Sequence, residues 1–200
     1  MTPDTILSTY DAVAAEWDRR RDRTLFERRH LDRMLTHAPG RRVLDLGCGT
    51  GRPIAQYLID RRCHVTGVDG APAMIDLFRR NVPQAEAIVA DMRGLELGES
   101  FDAILAWDSF FHLSPDDQRA MIPVFAAHAA ERGILMFPAG PSAGEPVGDF
   151  AGHSLYHASL DPEDYRTALG ELGFTLIDVT YEDPEAEGHT VFLARLTGGF

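Results

Sequence analysis

The sequence predicts an α/β fold: a doubly wound seven-stranded sheet, parallel except for its terminal hairpin, with helices on both faces. Three observations support this prediction. Apolar segments of strand length alternate with segments of helical periodicity from residue 43 to residue 137. Two more strand-like segments close the chain with only a short polar loop between them. Three glycines follow the first strand at every second position, which is typical of a chain that turns past a ligand.

Two amphipathic helices are predicted ahead of the sheet, within residues 1–38. The first shows apolar residues at helical spacing, namely Tyr10, Val13, Ala14 and Trp17. The second shows the same periodicity in Leu31, Met34 and Leu35. Pro39 and Gly40 end the second helix. We expect this helical segment to form a lid on a single domain that spans residues 1–200.

Strands and helices then alternate. The predicted strands are Val43–Leu46, His64–Val68, Ala87–Ala90, Phe101–Ala106, Gly133–Phe137, Phe174–Tyr181 and Thr190–Leu196. The predicted helices include Pro53–Asp60, Pro72–Arg80, Pro115–Ala130 and a later helix that contains Tyr165, Ala168, Leu169 and Leu172. Ser114 caps the third of these helices, and Gly173 terminates the last. The loop from Glu182 to His189 is too short for a parallel crossover, so the last two strands should form an antiparallel hairpin.

The segment from Pro138 to Leu160 has a different character. Its glycines and prolines should interrupt any regular element: Gly140, Pro141, Gly144, Pro146, Gly148 and Gly152. Loops of this length in a compact domain are usually lids or binding loops. We therefore expect this insert to lie beside a ligand pocket.

Composition excludes several classes of function. The hydrophobic fraction of 44% and the charged fraction of 25% are ordinary for a globular domain. The formal net charge of −12 disfavours a nucleic-acid partner. The cluster Arg19–Arg21 with Arg23 is interrupted by acids and is interpreted as a solvated face. Two cysteines, Cys48 and Cys63, suggest no disulfide framework, and no apolar run reaches membrane-spanning length. A cytoplasmic protein with no membrane partner is expected.

The glycine loop distinguishes between ligands. A dinucleotide fingerprint, G-x-G-x-x-G, would place its third glycine where Arg52 stands. The segment VLDLGCGTG, from Val43 to Gly51, closely resembles motif I of the class I S-adenosylmethionine-dependent methyltransferases, which have a Rossmann-like fold. The resemblance implies S-adenosylmethionine as the cofactor and S-adenosylhomocysteine as a product. It also implies methyl transfer to an acceptor, for which the short acidic chain favours a small molecule.

Further acids occupy positions where the family contacts its cofactor. Asp69 ends the second strand about 20 residues beyond the loop, where an acid can accept both hydrogens of a ribose diol; a helix N-cap is the alternative. The resemblance implies that Asp91 faces the adenine amino group and that Met92 stacks on the ring, with an ordinary turn as the alternative. Met74 matches a position that packs on adenine, or it belongs to the core.

Asp45 lies inside an apolar run, and a buried acid must be paired or hydrogen-bonded. It either braces the loop or meets the amino group of the cofactor. The complete predicted cofactor set is Asp45, Gly47, Cys48, Gly49, Gly51, Asp69, Gly70, Met74, Asp91, Met92, Trp107 and Asp108.

The acceptor should meet the cofactor after the fourth strand, at the segment Ala106–Leu113, because ligands bind beyond the carboxyl ends of strands near the switch point. Aromatic side chains there can attract the sulfonium cation. The segment lacks the Asn-Pro-Pro-Tyr motif of family members that methylate N6 of adenine or glutamine amides. His112 is the candidate base, or else a histidine that caps or lines the next helix.

The predicted acceptor contacts are Tyr10, Trp17, Phe110, His112, His153, Tyr156 and His157. His153 and His157 are four residues apart but have no cysteine or carboxylate cluster beside them, so we expect no metal ion. Two other functions remain open. One is a regulatory protein that binds S-adenosylmethionine without catalysis. The other is an NAD-dependent oxidoreductase, against which Arg52 and the terminal hairpin argue.

Overall fold

The computed structural model describes residues 2–198. Its helices are α1 (Ile6–Arg20), α2 (Arg28–His37), α3 (Ile54–Asp60), α4 (Pro72–Asn81), α5 (Pro115–His128) and α6 (Pro162–Glu171). Its strands are β1 (Arg42–Leu46), β2 (His64–Asp69), β3 (Glu86–Val89), β4 (Phe101–Leu105), β5 (Ala129–Ala139), β6 (Val147–Phe150), β7 (His153–Tyr156), β8 (Phe174–Asp183) and β9 (His189–Leu196). Most predicted boundaries differ from these by one or two residues, as helix and strand ends commonly do.

The seven-stranded sheet has the order β3-β2-β1-β4-β5-β9-β8. Strands β1 to β5 pair in parallel, whereas β9 lies antiparallel to both β5 and β8. The predicted fold class and its antiparallel hairpin are therefore confirmed. Strands β2 and β3 extend the sheet on one side of β1, and β5 extends it on the other side, beyond β4. A crevice therefore opens between the carboxyl ends of β1 and β4.

Both faces of the sheet are covered, which explains why its strands are apolar without alternation. On one face, Leu44 and Ile104 pack with α5 and α6 residues, including Phe125 and Tyr165. On the other face, Val43 packs with residues of α2, α3 and α4. Side chains alternate between the two sides along a strand, so neighbours such as Val43 and Leu44 enter different cores. The helices on both faces are thus confirmed.

Two predicted helix ends are also confirmed. The Ser114 hydroxyl accepts a hydrogen bond from the Asp117 backbone N–H at 3.1 Å and so caps α5. Gly173 follows α6 with a φ of +77°, a conformation that favours glycine.

The prediction that the insert has no regular element is wrong. Strands β6 and β7 form a two-stranded antiparallel sheet within it. Ala151 and Gly152 connect these strands and have φ values of +54° and +80°. Two consecutive residues at positive φ are typical of the type I′ turn, which matches the twist of a hairpin. The glycine that was interpreted as a breaker therefore forms the turn.

Helix α1 lies over the carboxyl end of the sheet. Its Asp11 carboxylate accepts a hydrogen bond from the Ala73 backbone N–H at 2.8 Å, which joins it to the start of α4. On the other side, the hairpin β6–β7 packs against it, with Phe150 on Trp17 at 5.0 Å between ring centroids. Among residues 2–198, no helix combines the length and the apolar character needed to cross a membrane.

Candidate functional site

A cavity lies at the carboxyl ends of β1, β2 and β4, below α1. Its empty volume is about 1020 Å³, including the part that opens to solvent. This size suits a small organic ligand. The lining comes from the loop after β1, the end of β2, the residues after β3 and β4, and one face of α1.

The glycine loop forms the floor of the cavity with its backbone. Gly47, Gly49 and Gly51 have φ values of +71°, +53° and +80°, a region that strains other residues. A Cβ atom on Gly47 would lie 2.2 Å from the Cβ atom of Ser109, and one on Gly51 would lie 2.8 Å from Phe78. Glycine is therefore required at both positions, for conformation and for space.

Asp69 ties the loop to the next helix. One carboxylate oxygen accepts a hydrogen bond from the Gly49 N–H at 2.9 Å, and the other accepts one from the Ala71 N–H at 2.8 Å. Burial raises the pKa of Asp69 despite these two hydrogen bonds. Each oxygen keeps a further lone pair, and the residue lines the cavity, so it can still accept from a ligand.

Two other polar groups in the cavity wall need a partner. Asp45 is 3% exposed, and burial, with a smaller effect from the charge of Asp69, raises its pKa to about 7. The indole N–H of Trp107 is buried without a hydrogen-bond partner among residues 2–198. Buried polar groups are normally satisfied, so these two fit a cavity that receives a polar ligand.

Asp91 lies at the rim of the cavity in an ion pair. Arg93 donates to it through Nε and Nη2, the latter at 2.6 Å. Burial alone would raise the pKa of Asp91, but these hydrogen bonds hold it below its usual range. Met92 and the almost fully buried Met74 lie nearby in the same wall.

The structure brings the predicted cofactor positions together around one cavity. Its lining includes Asp45, Gly47, Cys48, Gly49, Gly51, Asp69, Gly70, Met74, Asp91, Met92, Trp107 and Asp108, which is the whole predicted set. Of the predicted acceptor contacts, it includes Tyr10, Trp17 and His112.

His112 has both ring nitrogens engaged. Nδ1 donates to the Tyr156 carbonyl at 2.7 Å, so Nε2 accepts the hydrogen bond from the Tyr10 hydroxyl at 2.9 Å. Burial lowers the pKa of His112 to about 4 and keeps the ring neutral. The ring of His157 stacks on it at 4.8 Å between centroids. His112 therefore fixes the Tyr10 hydroxyl at the wall of the cavity.

The structure does not bring the other predicted acceptor contacts into the lining. Phe110 is fully buried in the core against Phe125 and Phe137, so the prediction that it contacts the acceptor is wrong. The short helical turn at residues 110–112 contacts β5, and the Phe110 ring packs into the core between β5 and α5. His153 is exposed at the start of β7, and the Tyr156 hydroxyl donates to Glu145 at 2.6 Å.

Sequence reasoning missed two residues beside Asp108. Arg21 lines the cavity, is only 11% exposed and pairs with the buried Glu27, so its interpretation as part of a solvated face is wrong. His189, at the start of β9, has its Nε2 atom 2.9 Å from Asp108 Oδ1. The acid Glu27, six residues after Arg21 in the sequence, could have indicated an ion pair for Arg21. No sequence spacing indicated His189, because only the terminal hairpin brings it close to the segment after β4.

The comparisons with known proteins agree with this geometry. Residues 43–133 match a family model described as a methyltransferase domain. An uncharacterized methyltransferase of Mycobacterium tuberculosis is 37% identical over 82 residues, which cover 40% of this chain and 33% of that protein. The O-methyltransferase cnsE of Penicillium expansum is 29% identical over 158 residues, or 73% of this chain and 56% of that protein. The chain thus spans about a third to a half of the length of these relatives.

The fold also has solved counterparts. The S-adenosylmethionine-bound amino pentose methyltransferase CalS10 from Micromonospora echinaspora superposes with a TM-score of 0.72 over 92% of this chain and 95% of that chain, at 23% identity. The shared fold confirms the predicted fold class, and the family-model match agrees with the predicted methyltransferase resemblance over residues 43–133.

Proposed function

We propose that this protein is an S-adenosylmethionine-dependent methyltransferase that acts on a small-molecule acceptor. One observation carries the proposal: all the predicted cofactor positions, from five separate stretches of sequence, line a single cavity at the switch point of the sheet. The methyltransferase-domain match over residues 43–133 supports it.

Each wall of the cavity has a part in holding the cofactor. Asp69 would accept the ribose hydroxyls, and Asp91, Met92 and Met74 would surround the adenine. The open backbone of the glycine loop would take the methionine end, with Asp45, whose pKa of about 7 lets its carboxyl donate or accept near neutral pH. When bound, S-adenosylmethionine supplies a methyl group already activated on a sulfonium sulfur.

The remaining work of the protein is positioning. Tyr10, Trp17 and Trp107 line the cavity with aromatic rings, which exclude water and attract a sulfonium cation. Because the methyl group is already activated, holding the acceptor atom in line at near-attack distance provides most of the acceleration. The formal net charge of −12 supports a small acceptor rather than a nucleic acid.

Calorimetric titration and a methyl-transfer assay test the proposal together. S-adenosylmethionine and S-adenosylhomocysteine should bind one equivalent each, and NAD should not bind. Tritiated S-adenosylmethionine should then label at least one member of a panel of small amines, phenols, sugars and carboxylic acids. Binding without any labelling would instead favour the regulatory alternative, and binding of NAD alone would favour the oxidoreductase.

The Asp69→Asn variant assigns the ligand to the cavity. The neutral amide cannot accept from the ribose diol as a carboxylate does, so the affinity for S-adenosylhomocysteine should fall by about tenfold or more. Asp178→Asn is the matched control, because Asp178 is also ion-paired, with Arg33 at 2.6 Å, but lies on β8 outside the cavity lining. Equal losses in both variants would remove the support for the ribose assignment.

A further inference from the structure

The part of the cavity formed by the segment after β4, Ala106–Leu113, is called the acceptor end here. It contains an acid–histidine pair. Asp108 follows β4, lines the cavity and has a φ of +49°. Its Oδ1 atom lies 2.9 Å from Nε2 of His189, at the start of β9. The side chains of Asp108 and His189 are 20% and 22% exposed, so solvent and ligands can reach the pair.

The surrounding charges leave this pair negative. Arg21 lies 3.7 Å from the second oxygen of Asp108, but it also pairs with the fully buried Glu27 carboxylate. While His189 is neutral, these four side chains carry one net negative charge. A negative group in a partly enclosed wall attracts cations more strongly than the same group in water.

Among the acids of the cavity lining within residues 2–198, only Asp108 follows β4. Asp45 and Asp69 lie at the ends of β1 and β2 beside the glycine loop, and Asp91 is paired with Arg93 at the rim. His112 lines the same end, but both of its nitrogens are occupied. Asp108 is therefore the acid at the acceptor end of the cavity within residues 2–198.

We propose that the Asp108 carboxylate, oriented by His189, accepts a hydrogen bond from an amine of the acceptor, so that the substrate class is a small-molecule amine. This inference rests on the proposed function, because it assigns the acceptor end of the same cavity. His189 acts as a positioning residue: its ring nitrogen holds Oδ1 of Asp108, and Oδ2, which lies 3.7 Å from Arg21, can accept a further hydrogen bond.

Sinefungin tests this inference without knowledge of the acceptor. This analogue of S-adenosylhomocysteine carries a protonated amine on the carbon that replaces the sulfur, where the transferred methyl group would project. The measured quantity is the ratio of the Kd of S-adenosylhomocysteine to that of sinefungin, by calorimetry at pH 8. Wild type should favour sinefungin by about tenfold, since a charge-assisted hydrogen bond contributes about that factor. Asp108→Asn should lose most of this preference, and the ratio of the two Kd values cancels any effect that is common to both ligands, while Asp178→Asn should keep the preference.

The pH dependence of the sinefungin preference tests the role of His189. Burial lowers its pKa, but the hydrogen bond to Asp108 and the charge of Asp108 outweigh burial, so the pKa is raised. Protonation then neutralises the pair, and the sinefungin preference should fall as the pH drops through that pKa. The charged and titratable groups that act on this pair are Glu27, Glu187, Arg21, His157, His112 and Tyr10. Asp45, whose pKa is raised to about 7, also titrates near neutral pH, but it is present in every variant compared.

Two substitutions of His189 distinguish its role in orienting Asp108 from a role in folding. His189→Asn can still donate to Asp108 but cannot become charged, so it should keep the preference for sinefungin and lose the His189 part of its pH dependence. His189→Phe should reduce the preference and leave the affinity for S-adenosylhomocysteine unchanged. An unchanged ratio in Asp108→Asn, with normal binding of S-adenosylhomocysteine, overturns this inference alone. Failure of wild type to bind either ligand overturns the proposed function and this inference with it.

Discussion

The proposed cofactor end and the proposed acceptor end of the cavity are built in different ways. At the cofactor end, the glycine loop, Asp69 and Asp91 stand at or just beyond the carboxyl ends of parallel strands, so local sequence determines their positions. At the acceptor end, Tyr10 of α1 meets His112, which lies 102 residues away, and Asp108 meets His189, which lies 81 residues away. The first end follows from strand order, whereas the second depends on how the lid and the hairpin pack.

Phe110→Ala has the largest expected effect on this comparison. Phe110 stands among the acceptor-end residues in sequence, yet it is fully buried between Phe125 and Phe137. Removing a buried ring should cost about 3–5 kcal/mol in the free energy of unfolding, measured with urea. The affinity of the folded variant for S-adenosylhomocysteine should stay unchanged. A loss below 1 kcal/mol would place the ring at the pocket after all.

Asp45→Asn probes the cofactor end through pH. The folded-state pKa of Asp45 is raised to about 7, so the stabilising contribution of its protonated form is complete below the unfolded-state pKa near 4 and is lost as the pH rises through 7. Relative to wild type, the asparagine variant should therefore gain stability between pH 4 and pH 8, on the order of 3 kcal/mol. Urea unfolding of both proteins across this pH range measures the difference in stability. If the unfolding free energies of the two proteins changed with pH in the same way, the raised pKa of Asp45 would be contradicted.

Gly51→Ala compares crowding with backbone strain. A Cβ atom there would meet Phe78 and Val82 at 2.8 Å, in addition to the strain of a φ of +80°. We expect a loss of about 2–3 kcal/mol in unfolding free energy and a clear loss of affinity for S-adenosylhomocysteine. Gly94→Ala is the matched control, because its φ is +67° but nothing lies within 4 Å. It should lose only about 1 kcal/mol, and equal losses would mean that strain alone matters.

Tyr10→Phe has the smallest expected effect, at the acceptor end. The hydroxyl donates to Nε2 of His112, and its loss should cost about 1 kcal/mol of stability. Because Nε2 then lacks its donor, the nitrogen-15 NMR signals of His112 should also change. Tyr181→Phe is the control, since that ring is 54% exposed on β8. An unchanged His112 spectrum would contradict the hydrogen bond.

The same contrast explains how much the sequence could predict. The sheet and the terminal hairpin followed from local sequence patterns. The predicted cofactor positions line one cavity because most of them stand next to strand ends, where topology leaves little choice. The acceptor end was harder, because Phe110 and His112 are two residues apart and yet one enters the core and the other the cavity. His189 could not be found without the pairing of β9 with β5. Gly152 was interpreted as interrupting regular structure because glycine is common both in irregular loops and in the turns of hairpins.

A crystal structure with S-adenosylhomocysteine tests the division of the cavity most directly. We predict that the ribose hydroxyls lie within hydrogen-bond distance of Asp69 and that the sulfur points toward Asp108 at the opposite end. A ligand bound in the reverse orientation, with its adenine at Asp108, or one bound outside the cavity, would contradict the assignment of both ends.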